Sequence, residues 1–199
     1  MQASVAPPSS AAEEWRASFA RRIASVHSLW EQGVADLTLD QVNHFERAGV
    51  LPIAFTLMHL VVGEDRNTAR FLGPALLLWD EQGWAKRVGL VGEPPVRGTP
   101  LAEAERIRLG DVSAWRTYQT AVFTRTERAL ATLPLGRFDE KAMDRPPADK
   151  LKGSFLALLV PAGDPKISDV CEAYLFQHAV RHLGELEHAR ALVGLGGLS

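Results

Sequence analysis

The stretch FQHAVRHLGEL, residues 176–186, places His178 and His182 four residues apart in what we expect to be the last helix of the chain. Residues at that spacing lie on one face of an α-helix, one turn apart. Two imidazoles on an otherwise apolar face need partners, because a buried polar group left unpaired costs about 1–3 kcal/mol. A metal ion is one such partner, and hydrogen bonds to backbone or carboxylate groups are another.

The predicted last helix spans residues 168–194, with a Ser168 or Asp169 cap at its start and Gly194 as its stop. At 100° per residue, one stripe of this helix is centred on His178. The members of the stripe are Cys171, Tyr174, Leu175, His178, His182, Glu185, Leu186, Ala189 and Leu192. We expect this stripe to face the protein core, whereas His188 and Arg190 point elsewhere.

Three more long helices are predicted from the spacing of apolar residues, over residues 11–33, 51–71 and 111–133. The long connections 72–110 and 134–167 contain short extra helices, and the run GSFLALLV within the second is either a helix or a strand. The chain shows neither an internal repeat nor an extended alternating strand pattern. The prediction is an all-α four-helix bundle with long crossover connections, as one domain over residues 11–199 after a flexible segment 1–10.

Composition narrows the class of protein. The chain has 199 residues, 46% apolar and 23% charged, which is typical of a soluble globular domain. Its net charge of −2 argues against a nucleic-acid partner, and its apolar runs are too short for a membrane span. A single cysteine, Cys171, cannot form an internal disulfide, and no secretory signal is recognised at the start. We therefore expect a cytoplasmic protein.

A third histidine, His59, lies on the most apolar predicted helix. Bundles build metal sites from side chains that face one another across the core, so His59 and the pair on the last helix are the candidate ligands. Three imidazoles suit zinc, nickel, iron or copper better than magnesium or calcium. Three protein ligands also leave a coordination position open, as catalytic sites do. His27, His44 and His188 are interpreted as solvated or structural.

Three segments carry a family resemblance: MHLVVGED at 58–65, LWDEQGWAKRVGL at 78–90 and HAVRHLGELEHARALVG at 178–194. Together they resemble the DinB/YfiT-like family of metal-dependent bundle proteins, over most of the chain. The resemblance implies a four-helix bundle, often a homodimer, with a divalent metal such as Zn, Ni or Fe on His59, His178 and His182. Relatives commonly carry glutamine where this chain has Glu185, which could orient an imidazole from behind, ligate the metal or form an internal ion pair.

The resemblance implies a metal-dependent enzyme acting on a small molecule, as a thiol S-transferase or a hydrolase. The alternatives are a non-catalytic, metal-binding or stress-related dimeric bundle, and a plain bundle without metal. Arg66 and Arg70 lie on the His59 side of their helix and could hold an anionic substrate, although they also read as a solvated helix end. Glu64 lies off the His59 direction, and Cys171 is interpreted as a small core residue.

Overall fold

The structure, a computed structural model, describes residues 10–73 and 75–198, so most of the predicted flexible segment 1–10 lies outside the described residues. In chain order the helices are α1 (Ala11–Ala35), α2 (Leu39–Val42), α3 (Ile53–Asn67), α4 (Leu78–Glu81), α5 (Trp84–Arg87), α6 (Leu101–Ala104), α7 (Val112–Thr132), α8 (Ala148–Leu151), α9 (Phe155–Leu159), α10 (Ile167–Cys171) and α11 (Gln177–Leu192). A π-helical turn, Thr68–Leu72, extends α3, and a second one, Glu172–Phe176, joins α10 to α11. A 3₁₀ turn, Leu135–Asp139, follows α7. The predicted all-α fold is confirmed.

The long helices pack as a bundle in which α1 and α3 each contact both α7 and α11. Helices α1 and α7 run antiparallel, because Arg16 near the start of α1 donates to the Leu133 carbonyl, whereas Arg116 near the start of α7 donates to the Val34 carbonyl. The last helix, from α10 through α11, runs parallel to α1. The two helices are joined first by the Arg22–Glu172 ion pair and then, farther along both of them, by the hydrogen bond from Trp30 to the Ala179 carbonyl.

Helices α3 and α7 run in the same direction. Asp65 on α3 accepts from Tyr118 and Arg125 of α7, and one turn later the hydroxyls of Thr68 and Thr126 lie 2.8 Å apart. A parallel neighbour cannot be reached by a tight turn, so the 73–111 connection has to return along the length of the bundle. The long crossover predicted between these two helices is therefore present.

Local capping explains where the long helices begin. Ser10 and Glu13 form a reciprocal capping box at the start of α1, Thr38 and Gln41 form another at α2, and Asp111 caps α7. The predicted cap of the last helix is wrong by a few residues. The helix begins at Ile167, and the Asp169 carboxylate accepts from the backbone N–H of Lys166 at 2.8 Å.

The apolar first half of α3 forms the centre of the core. Leu57, Met58, Leu60, Val61 and Val62 are all fully buried, as the sequence predicts for a helix that is apolar nearly all round. The undecided run GSFLALLV is helical: Ser154 caps α9, which spans Phe155–Leu159. No helix among the described residues combines the length and the hydrophobicity that crossing a membrane requires.

Candidate metal centre

The three predicted ligands converge. His59 on α3 and His178 and His182 on α11 each offer a ring nitrogen, and these nitrogens all lie within 4.8 Å of one another. The ring centroids are 5.1 Å apart for His59 and His178, 4.9 Å for His59 and His182, and 4.5 Å for the pair on α11. Two helices that are far apart in the chain therefore supply one shared site.

All three rings meet nearly edge to face, and two of them are uncharged at neutral pH. Burial, and after it the neighbouring His182, lower the pKa of His59 to about 4 and that of His178 to about 3. A neutral imidazole keeps a lone pair on one nitrogen, and that lone pair is what a metal ion requires. The low-dielectric setting thus keeps both rings ready to coordinate.

Glu185 orients His182 from behind. Its carboxylate lies 2.6 Å from Nδ1 of His182 and 3.5 Å from Nε of Arg181, while about half of its side chain is exposed. A hydrogen bond at Nδ1 leaves Nε2 as the coordinating nitrogen, which is how carboxylates usually support metal-bound histidines. The Glu185 carboxylate therefore both orients His182 and forms an ion pair with Arg181.

The histidines lie at the margin of the core instead of at its centre. The buried face of α11 is centred on Ala179, Leu183 and Leu186, so the predicted inward stripe is displaced by one residue. Glu185, predicted to face inward, has about half of its side chain exposed, and Arg190, predicted to point elsewhere, is buried against Asp36. The π-helical turn before α11 holds one residue more than an α-helical turn, and this extra residue shifts the face.

The donor set fits a transition metal. Nε2 of His59 and Nε2 of His178 lie 3.2 Å apart. Two nitrogen ligands about 2.0–2.1 Å from a tetrahedral ion would be separated by about 3.3 Å. Nδ1 of His178 is buried and makes no hydrogen bond. Nδ1 of His59 makes no hydrogen bond of good geometry, although the Pro95 carbonyl acts to raise the pKa of His59. The 3.2 Å distance also fits an N–H···N bond between neutral rings, which metal analysis would distinguish.

The other residues considered from the sequence have different surroundings. Arg66 donates to the Pro95 carbonyl at 3.5 Å, and the exposed Arg70 lies over the Phe71 ring. Cys171 is buried, and burial raises the pKa of its thiol to about 12, so it is the inert core residue expected. His44 is exposed beside Glu46, and His188 is exposed, as the solvated interpretation requires.

A second buried polar cluster was not predicted from the sequence. His27 is 2% exposed and stacks on Phe123, with Nδ1 2.8 Å from a Glu127 oxygen and Nε2 3.0 Å from a Glu64 oxygen. The sequence left two interpretations of His27 open, as a solvated or a structural residue. Its burial agrees with the structural interpretation, and the solvated one is wrong. The spacing of His27 and Glu64 carries no signal, because the two residues lie on different helices and only the folded chain brings them together.

Comparisons with known proteins address the fold. No protein-family profile matches the chain, and no curated protein matches it. Among solved structures, the chain is similar to the crystal structure of a conserved protein of locus from Enterococcus faecalis, with a TM-score of 0.70 and 16% sequence identity. The similarity covers 88% of this chain and 94% of the other. At this identity it shows a shared fold.

Proposed function

We propose that this protein is a metal-dependent enzyme of the DinB/YfiT-like kind, with one divalent transition metal on His59, His178 and His182. One observation carries the proposal: three imidazole nitrogens from two separate helices lie within 4.8 Å of one another. Zinc, nickel and iron all accept such a nitrogen set, and three protein ligands leave a coordination position for a substrate. The family resemblance stated from the sequence agrees with this ligand set.

The reaction class follows from what such a centre can supply. A metal ion there would lower the pKa of a thiol or a water, which both thiol S-transfer and hydrolysis need at neutral pH. The residues of the chain then hold the geometry: Glu185 fixes the ring of His182, and burial keeps His59 and His178 neutral. A small molecule is the proposed substrate, and a cytoplasmic homodimer is the proposed working form.

A non-catalytic metal-binding bundle is the second candidate. One observation favours it: the carboxylate that contacts the histidine cluster, Glu185, is already engaged by His182 and Arg181. A carboxylate held in this way is poorly placed to take a proton from a substrate. Stress-related binding without turnover would need the metal but no general base.

Metal content and turnover test the proposal together. Protein purified without a histidine tag and reconstituted with Zn²⁺, Ni²⁺ or Fe²⁺ should hold about one equivalent by elemental analysis. His178→Ala should abolish binding, whereas His188→Ala, an exposed histidine on the same helix, should leave it unchanged. Metal below a tenth of an equivalent after reconstitution would favour the plain bundle.

Turnover distinguishes the first candidate from the second. A low-molecular-weight thiol with a dinitrophenyl halide tests thiol transfer, and a nitrophenyl ester tests hydrolysis. We expect metal-loaded protein to accelerate at least one of these reactions and the stripped protein to lose that rate. Bound metal without turnover across a broad substrate panel would leave the non-catalytic bundle. Light scattering on the same samples tests the homodimer.

A further inference from the structure

A cavity of about 390 Å³ lies between α8, α9, the turn that joins them and Arg181 of α11. Small-molecule sites usually enclose about 300–1,000 Å³, so this volume suits a compact ligand. Leu151, Phe155 and Leu158 supply the apolar part of its wall. The cavity is built by the 134–167 connection, whose Leu151, Leu156 and Val160 pack against Phe71 and Ala173 of the bundle.

The remaining wall is positively charged. Arg145, Lys152 and Arg181 line this space, and among the described residues none that lines it is acidic. The guanidinium of Arg145 donates to the carbonyls of Val160 and Pro161, which fixes its position without neutralising its charge. Lys152 has no carboxylate within ion-pair distance in the described part of the chain. We call this space the cation-lined cavity.

Hydrogen bonds to backbone carbonyls hold the wall of the cation-lined cavity in place without a ligand. Arg97 donates to the Lys150 carbonyl at 2.9 Å and to the Lys152 carbonyl at 2.6 Å. These bonds tie α8 and the turn after it to the 91–98 loop, which also carries Pro95 beside His59. A preformed wall binds a ligand more tightly than a mobile one, because less ordering is needed on binding.

A continuous chain of contacts connects the cation-lined cavity to the histidine cluster. Arg181 lies 3.5 Å from Glu185, and Glu185 lies 2.6 Å from Nδ1 of His182. One arginine therefore borders both the cavity and the candidate metal centre.

We propose that the cation-lined cavity binds a small organic anion with an apolar body. The anionic group lies against Lys152 and Arg181, and the apolar body lies against Leu151, Phe155 and Leu158. The cavity thereby defines the substrate class of the neighbouring centre, and this last step rests on the proposed function. Anion binding itself does not require the metal.

Phenylbutanoate is a suitable probe, with phenylbutanol as its uncharged match. Calorimetric titration is made first on chelator-stripped protein, so that the carboxylate cannot bind a metal ion. We expect phenylbutanoate to bind, and phenylbutanol to bind about tenfold more weakly or worse, since contacts to a charged group are lost. Lys152→Gln and Arg181→Gln should each raise the Kd for phenylbutanoate by about tenfold. Lys86→Gln, an exposed lysine on α5, is the matched control and should leave it unchanged.

The outcomes separate cleanly. Equal affinity for acid and alcohol, or no effect of Lys152→Gln, would overturn the proposal. Inorganic phosphate should compete weakly because it cannot fill the apolar wall, and competition at the same concentration as phenylbutanoate would contradict the apolar part. Anion binding by a protein that takes up no metal on reconstitution would support the cavity and refute the proposed enzyme, so the two failures remain distinguishable.

Discussion

Nε2 of His178 on α11 lies 3.2 Å from Nε2 of His59 on α3, although 119 residues separate them in the chain. Two neutral ring nitrogens this close must share either a proton or a metal ion. Burial disfavours the charged form of both rings, which leaves either an N–H···N bond between neutral rings or a shared metal ion.

Glu185 should tune metal affinity through His182. Glu185→Ala removes the hydrogen bond at Nδ1 and should weaken metal binding by about 10–100-fold, the usual effect of losing such a partner. Glu185→Gln keeps an oxygen that can accept from Nδ1–H and should retain most of the affinity. Competition with a chromophoric chelator measures both, and Glu187→Ala on the same helix is the control. Equal losses in the alanine and glutamine variants would contradict an orienting role.

Gly63 should tolerate a methyl group beside the site. A Cβ built at this position meets Cε1 of His178 at 3.5 Å, which is ordinary van der Waals contact. Since Gly63 lies inside α3, Gly63→Ala should raise the free energy of unfolding by about 0.5–1 kcal/mol and leave metal stoichiometry unchanged. Denaturant titration and elemental analysis check the two parts, and a loss of metal would show that the ring has no room to spare.

His27 should be the most sensitive buried polar residue outside the histidine cluster. His27→Ala leaves the buried Glu64 carboxylate without its partner and should cost about 3–5 kcal/mol of unfolding free energy. His44→Ala, which removes an exposed histidine beside Glu46, should cost far less. Urea denaturation of both variants gives the comparison. Similar losses of unfolding free energy would show that the contact between His27 and Glu64 is not stabilising.

The His27 contribution should also depend on pH. Burial lowers the pKa of His27, but Glu64 and Glu127 raise it more, so its folded value lies above the ordinary 6.5. The protonated ring therefore stabilises the fold in full below pH 6.5, and that stabilisation is lost as the pH rises through the higher folded pKa. The stability gap between wild type and His27→Ala should narrow as the pH rises above about 6.5. A gap that widens with pH would contradict this sign.

The Tyr118 hydroxyl should be worth a charged hydrogen bond. It donates to Asp65 at 3.0 Å inside the core, and Asp65 also accepts from Arg125 and from the backbone N–H of Trp79. Tyr118→Phe should reduce the free energy of unfolding by about 1.5–3 kcal/mol. Tyr174→Phe, at a half-buried tyrosine, is the matched control. Equal effects in denaturant titrations would show that the Asp65 contact contributes nothing.

The sequence predicts those features well that depend on residues within a single helix. Helix spacing and the apolar length of α3 predict the long helices within a few residues, because these signals are local. The three histidines also stood out, since each lies on an otherwise apolar helix face. Their convergence within 4.8 Å could be anticipated only from the expectation that the two helices are neighbours.

What the sequence missed depends on contacts between distant segments. His27 and Glu64 meet across the bundle, and Arg190 is buried because Asp36 and the Gly33 carbonyl lie opposite it. No spacing rule within one helix encodes such partners. The cation-lined cavity was missed for the same reason, because its charges come from α11 and from a connection that shows no regular pattern.

The π-helical turn Glu172–Phe176 has a consequence for how this chain can change length. If its five residues were wound as a regular α-helix instead, everything downstream would rotate by about 100° relative to α10. His178 and Glu185 would then turn toward the middle of the core, and the rings would no longer meet His59. Deleting one residue from this turn would leave regular winding that keeps the same residues facing the core. Such a deletion should therefore be tolerated here, whereas one between His178 and His182 would change the spacing of the two rings.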